Sequence, residues 1–133
     1  MSATAYYIGT TSSGEHALYR LAMDKGVAGT PEELVEGVED MQVLYGVDPS
    51  WTPTSHGPPV KYVTADKVTD FKQVVSVRLG LLVDTTTDVT TSKDNQTYTI
   101  ADTTIQAATG THQHPKDNKL RFPITTTIKL RNR

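Results

Sequence analysis

Val74-Val75-Ser76-Val77-Arg78-Leu79-Gly80-Leu81-Leu82-Val83 is the stretch on which the fold turns. On an extended chain Val75, Val77, Leu79, Leu81 and Val83 share one side, and Val74, Ser76, Arg78, Gly80 and Leu82 share the other. The first side is wholly apolar and is expected against the core; the second is mixed. A run this rich in valine and leucine reads as a central strand rather than an edge. Its expected closing partner is residues 124–130, where Ile124, Thr126, Ile128 and Leu130 alternate with Thr125, Thr127 and Lys129, and Pro123 marks the start. Composition agrees. Threonine fills 22 of 133 positions, and its branched side chain suits a half-exposed pleat better than a helix. The expected class is α+β, predominantly antiparallel β, with one or two short helices.

Upstream, residues 5–8 and 17–21 are short apolar and aromatic runs joined by a polar segment, which reads as a hairpin. Thr30-Pro31-Glu32-Glu33 carries a helix-start signal: a threonine cap, a proline at the first helical position and a glutamate three residues after the cap. A short helix over 31–36 is expected, then a strand over 40–47, where Met41, Val43, Tyr45 and Val47 alternate; Gly37 weakens one longer helix. Residues 48–59 hold four prolines around Trp51 and read as a loop that Trp51 anchors. Thr64 is expected to cap a short helix ending near Gln73, with Ala65, Val68 and Phe71 on one stripe. Residues 84–121 are polar except for a strand near 96–100 with Tyr98 and Ile100 inward. They read as a long excursion from the sheet and its most mobile region. The length fits one domain over 1–133.

Most chemical functions find no support. The 13 basic and 15 acidic side chains nearly balance, which disfavours a long-range trap for nucleic acid or anionic lipid. Lys116, Lys119 and Arg121 are the nearest thing to a basic cluster. Lys129, Arg131 and Arg133 alternate along the last strand and read as a solvated face. Without cysteine there is no disulfide, thiolate nucleophile or cysteine zinc site. No apolar run approaches the ~20 residues that span a bilayer.

Gly26-Val27-Ala28-Gly29 lacks the spacing of a phosphate loop and reads as a turn. Ser55-His56 sets a hydroxyl beside an imidazole, but sequence neighbours rarely face each other productively. A small hydrolase would have to unite His56, His112 or His114 with a carboxylate. In His112-Gln113-His114 an extended backbone would point both imidazoles the same way, towards a metal that still needs a third ligand from His16, His56 or an aspartate. The plainer reading is a polar loop with two solvent-facing histidines before Pro115. The pairs Asp84/Asp88 and Glu32/Glu33 are explained by a strand end and a helix start. Asn95-Gln96-Thr97 fits a glycosylation acceptor, a pattern common by chance. No catalytic residue, metal ligand or cofactor is assigned.

Three segments together resemble one family. Residues 34–48, LVEGVEDMQVLYGVD, residues 62–78, YVTADKVTDFKQVVSVR, and residues 125–133, TTTIKLRNR, are similar to stretches of PilW-type minor pilins in the same order. The resemblance implies a pilin-like head, related to the J-type pseudopilins of type II secretion, without the leader and long apolar helix of such proteins. It implies a non-catalytic subunit of the type IV pilus that takes part in tip-complex formation and initiates assembly. Its partners would be other minor pilins and pilus tip or adhesin subunits. It would touch the membrane only through the absent helix, and no nucleic acid. Before assembly the head would be periplasmic and anchored to the inner membrane; in the pilus it would be extracellular. Where relatives carry an Asp/Gly-rich segment after YGVD, this chain has residues 49–59, so no metal site is carried over there. The expected partner contact is Trp51, Pro53, Pro58 and Pro59, an aromatic in a proline-stiffened loop. The competing reading is an extracellular adhesin-like β-domain unrelated to pilus assembly.

Overall fold

The computed structural model describes residues 2–130. In chain order its strands are β1 (Ser2–Thr10), β2 (His16–Asp24), β3 (Val27–Ala28), β4 (Glu32–Glu36), β5 (Val38–Val47), β6 (Lys61–Val63), β7 (Val74–Asp84), β8 (Tyr98–Ile100), β9 (Thr103–Ala107), β10 (Gln113–His114) and β11 (Arg121–Lys129). The main sheet runs β11-β7-β5-β6, antiparallel throughout. A second sheet has β1 on one side of β2 and both β3 and β4 on the other. A third, small sheet runs β10-β9-β8. The fold is predominantly antiparallel β with little helix, as the composition implied.

β7 is central, between β5 and β11, and the hairpin of β1 with β2 is where the sequence placed it. The helix expected over 31–36 is instead β4, paired with β2 and tied to it by an ion pair between Arg20 and Glu32. A six-residue helix in water lies below the length at which propensity sustains it. The outer edge of β2 offers a full ladder, and that long-range pairing wins over the cap signal.

The helix expected from Thr64 to Gln73 is two separate 3₁₀ turns, Ala65–Lys67 and Phe71–Gln73. The Thr64 hydroxyl donates to the Asp66 carboxylate rather than capping, while Asp70 accepts the Lys72 N–H at 3.0 Å. Pro123 is the third residue of β11 and not its start. β11 is an edge of its sheet, where a missing N–H is tolerated. Of the basic residues expected along this strand, Arg131 and Arg133 lie outside the described residues.

Gly37 joins the two larger sheets. It turns β4 into β5 at φ +91, donates its N–H to His16 (2.8 Å) and accepts the Asp84 N–H (2.7 Å). A Cβ there would stand 2.7 Å from the Asp84 carbonyl oxygen. Left-handed backbone costs a side-chain-bearing residue about 1–2 kcal/mol, and the clash adds to it. Gly37→Ala should therefore lower the unfolding free energy by at least ~2 kcal/mol, read from urea denaturation with an unchanged m-value.

The faces of β7 are assigned the other way round from the sequence expectation. The densest cluster is Leu82, Ile100 and Ile105, each fully buried, with Tyr98 packed against it. It lies on the side of Gly80 and Leu82. Gly80 lets the β8–β9 turn descend onto the sheet, since a Cβ there would meet Ala101 N and Ile100 Cβ at 2.8 Å. Val75 is buried, but Val77, Leu79, Leu81 and Val83 on the other side are only half-buried. Tyr6 and Leu18 of the β1–β2 hairpin flank Leu79 and Leu81, and Phe71 packs on Tyr45 beside Val77, but these do not seal that side as the 98–107 hairpin seals Leu82. The segment 84–121 thus supplies much of the core and is not merely an excursion from it.

Candidate assembly surface

Register continues the exposed side of β7 across three strands. Met41 and Val43 of β5 pair with Leu81 and Leu79, while Phe122, Ile124 and Ile128 of β11 pair with Val83, Leu81 and Val77. Directly opposed residues share a face. The result is a largely apolar surface, interrupted on β11 by Thr126 opposite Leu79, on which Phe122, Ile124 and Ile128 are 47–50% exposed. Beside β5 the surface deepens into a groove of about 400 Å³, closed on the far side by Tyr6 of β1 and Leu18 of β2. Patches of this kind on a folded domain mark interaction sites.

At one end of the main sheet lies the loop of residues 48–60. Its keystone is Asp48, buried at the end of β5, whose carboxylate accepts the N–H of Ser50 at 2.9 Å and of Gly57 at 2.7 Å. Trp51 N–H donates to the Asp48 carbonyl at 3.1 Å, and Thr52 and Ser55 bridge antiparallel. The ring of Trp51 is half-buried, and its indole N–H is buried with no hydrogen-bond partner among the described residues. Pro53 and Pro58 are exposed. Pro58 and Pro59, with His56, Tyr62 and Lys129, line a recess of about 410 Å³, whereas Trp51 and Pro53 do not. The four expected contact residues therefore share a loop, but only two of them share a concavity.

Arg121 is the residue that sequence reasoning misread. It is no part of a basic surface: its guanidinium is fully buried and all five N–H donors are used. Nε donates to Glu39; Nη1 donates to Asp94 (3.2 Å) and Asp117 (2.8 Å); Nη2 donates to Glu39 (3.3 Å) and Asp117 (3.0 Å). Burial works against its charge, but Asp117 and Glu39 outweigh it and hold the guanidinium above its usual range. Burial raises Glu39, with Asp84 adding to the rise and Arg121 opposing it. Burial also pushes Asp94 up, but the Gln96 N–H, the Tyr98 hydroxyl and Arg121 together hold it below its ordinary value. The hydrogen bond from Arg121 lowers Asp117. Tyr98 donates to Asp94 at 2.9 Å and is pushed up to about 12, by burial first and then by that carboxylate. Lys119 is also paired, to Glu15 at 2.8 Å. The cluster locks residues 94–121 to β5. It is a structural centre, not a reactive one.

The histidines do not converge. His112 is exposed, while His114 is 1% exposed, which corrects the solvent-facing reading for one of the two. Its ring sits edge-on to Tyr98 at 5.4 Å, with Nδ1 2.8 Å from the Pro115 carbonyl oxygen and Nε2 2.7 Å from that of Gln96. Both nitrogens face backbone carbonyl oxygens rather than another histidine or a carboxylate. Ser55 and His56 are exposed in the loop. Among the described residues no three His, Asp or Glu side chains are grouped to hold a metal ion, and no helix is long and apolar enough to cross a membrane.

Comparison with known families bears on what this apolar face serves. The sequence model of the family described as Type IV Pilus-assembly protein W matches residues 5–132. The chain belongs to the PilW family. PilW proteins are minor pilins with a structural, non-catalytic role in type IV pilus assembly and work with other pilins. No curated protein and no solved structure matches the chain. The PilW match begins within β1 and covers the other ten strands whole, so the apolar face and the 48–60 loop both lie within the family's own sequence.

Proposed function

We propose that residues 1–133 are one head domain of a minor pilin, related to the J-type pseudopilins, that joins a tip complex and helps initiate type IV pilus assembly. An apolar helix N-terminal to the head would anchor it in the inner membrane and lie along the exposed side of β7. The observation that carries this reading is the face formed by Val77, Leu79 and Leu81 with Met41, Val43 and Ile124. It spans three strands and deepens into an apolar groove lined by Met41, Val43, Leu79 and Leu81 with Tyr6 and Leu18, a surface that the apolar stripe of a helix could cover. The 48–60 loop, presenting Trp51, Pro53, Pro58 and Pro59, is the contact offered to neighbouring pilins or a tip adhesin. Asp48 and the prolines stiffen it, so little conformational freedom is lost on binding.

The test uses the full-length protein in cells that depend on it for piliation. Leu79→Asp with Ile124→Asp should abolish surface pili while the isolated head stays folded, because both positions are partly exposed. Trp51→Ala should lower co-purification with the other minor pilins without lowering the level of the protein. Unchanged piliation in the double variant would overturn the reading of the face. Unchanged co-purification would overturn that of the loop.

A further inference from the structure

β1 is an edge strand unlike the others. It pairs with β2 in unbroken register from Ser2 opposite Asp24 to Thr10 opposite His16, and its other side pairs with no strand among the described residues. The Thr11 N–H donates to Glu15, the His16 carbonyl accepts from Gly37, and the Ala22 carbonyl accepts from Gly29. These bonds fix the phase of the ladder. Thr4, Tyr6 and Ile8, opposite Ala22, Arg20 and Leu18, must turn their N–H and C=O groups outward.

Edge strands usually carry a charge, a proline or a bulge, or are very short, to prevent pairing with another chain. β4 has three glutamates, β11 has Pro123, and β3, β6 and β10 run for two or three residues. In β1, Ser-Ala-Thr-Ala-Tyr-Tyr-Ile-Gly-Thr, none of these devices is present over nine residues.

We infer that the outer edge of β1 is a strand-addition site and that its occupant is β1 of a second copy of this chain, antiparallel about a two-fold axis at Tyr6. The sequence favours self-pairing. Two-fold pairing sets each charge near its own kind, and β1 has no charge. The register that pairs all nine residues puts Tyr6 opposite Tyr6, Tyr7 opposite Ala5 and Ile8 opposite Thr4, large against small beside the axis. Tyr6 is 55% exposed and free to meet its mate. Strand pairing alone covers less surface than a stable dimer needs, so the association is weak and concentration-dependent. The hydrogen-bonding edge of β1 is distinct from the helix seat, but Tyr6 also lines that groove, so Thr4→Pro, which lies outside the groove, is the variant that separates the two.

The absence of cysteine makes the test clean. In the 133-residue chain, Tyr6→Cys should form a disulfide-linked dimer on mild oxidation, well above Lys93→Cys, an exposed control. Tyr6→Lys and Tyr6→Glu should each weaken sedimentation-detected dimers about tenfold or more, and mixing the two should restore them. Thr4→Pro removes an outward donor without touching the β2 ladder and should also weaken the dimer, with unchanged circular dichroism. Cross-linking no better than the control, or failure of the mixed charge pair to associate, would overturn the proposal. So would dimers that survive Thr4→Pro but vanish with Phe122→Ser and Ile124→Ser, since association would then belong to the apolar face.

Discussion

Arg121→Met should lower the folding stability by about 3–5 kcal/mol at neutral pH, the usual loss when one partner of a buried ion pair is removed. The apolar side chain fills most of the space but leaves Glu39, Asp94 and Asp117 without their shared cation. Arg121→Lys should recover little, because an ammonium with three donors cannot replace a planar fork with five bonds. Urea denaturation of both variants gives the answer. A loss under ~1 kcal/mol for Arg121→Met would mean that the cluster is solvated like a surface pair.

The pH dependence follows from the signs. Asp94 and Asp117 are held below their ordinary values, so their contribution is present above about pH 4 and is lost as pH falls further through their folded values. Glu39 is raised, so it acts in the opposite sense: it adds stability as pH falls from neutral through its raised value towards about 4. The wild-type chain should hold or gain stability in mild acid and then lose it below about pH 4. In Arg121→Met all three carboxylates lose a force that favours ionisation, so its stability should climb as pH falls from 7 to 4. The gap between the two chains therefore narrows on acidification, and a gap constant over that range would refute the assignment.

The strands that alternate in sequence were legible: β5, β7, β11 and the β1–β2 hairpin all stand where period-two patterning puts them. β4 was not, because its cap signal is local and the β2 edge that overrides it lies more than ten residues upstream. The buried side of β7 was not legible either. Both sides carry large apolar residues, and the choice falls to Gly80, whose missing side chain admits the β8–β9 turn. Among site residues, the proline loop could be read as a loop because proline states its own geometry. The Arg121 cluster could not, since Glu39 lies 82 residues from its partner and Asp94 lies 27. Asp117, four residues before Arg121, was the one local hint.

Two neighbouring leucines test this assignment of faces. Leu82→Ala should cost about 2–5 kcal/mol, the range for a leucine removed from a closed core, since Leu82 is fully buried against Ile100 and Ile105. It should also speed hydrogen exchange in the 98–107 hairpin, which Leu82 holds to the sheet. Leu81→Ala should cost about 1 kcal/mol in the isolated head, because Leu81 is only half-buried and its groove is open, so no cavity is sealed in. Equal losses, or a greater loss at Leu81, would place the core on the other side of β7. The contrast should shrink in the full-length protein if the proposed helix lies in the groove. Covering Leu81 turns it into a core position, so its truncation should then approach the cost at Leu82, and a difference of about 1–4 kcal/mol between head and full-length protein would measure that covering.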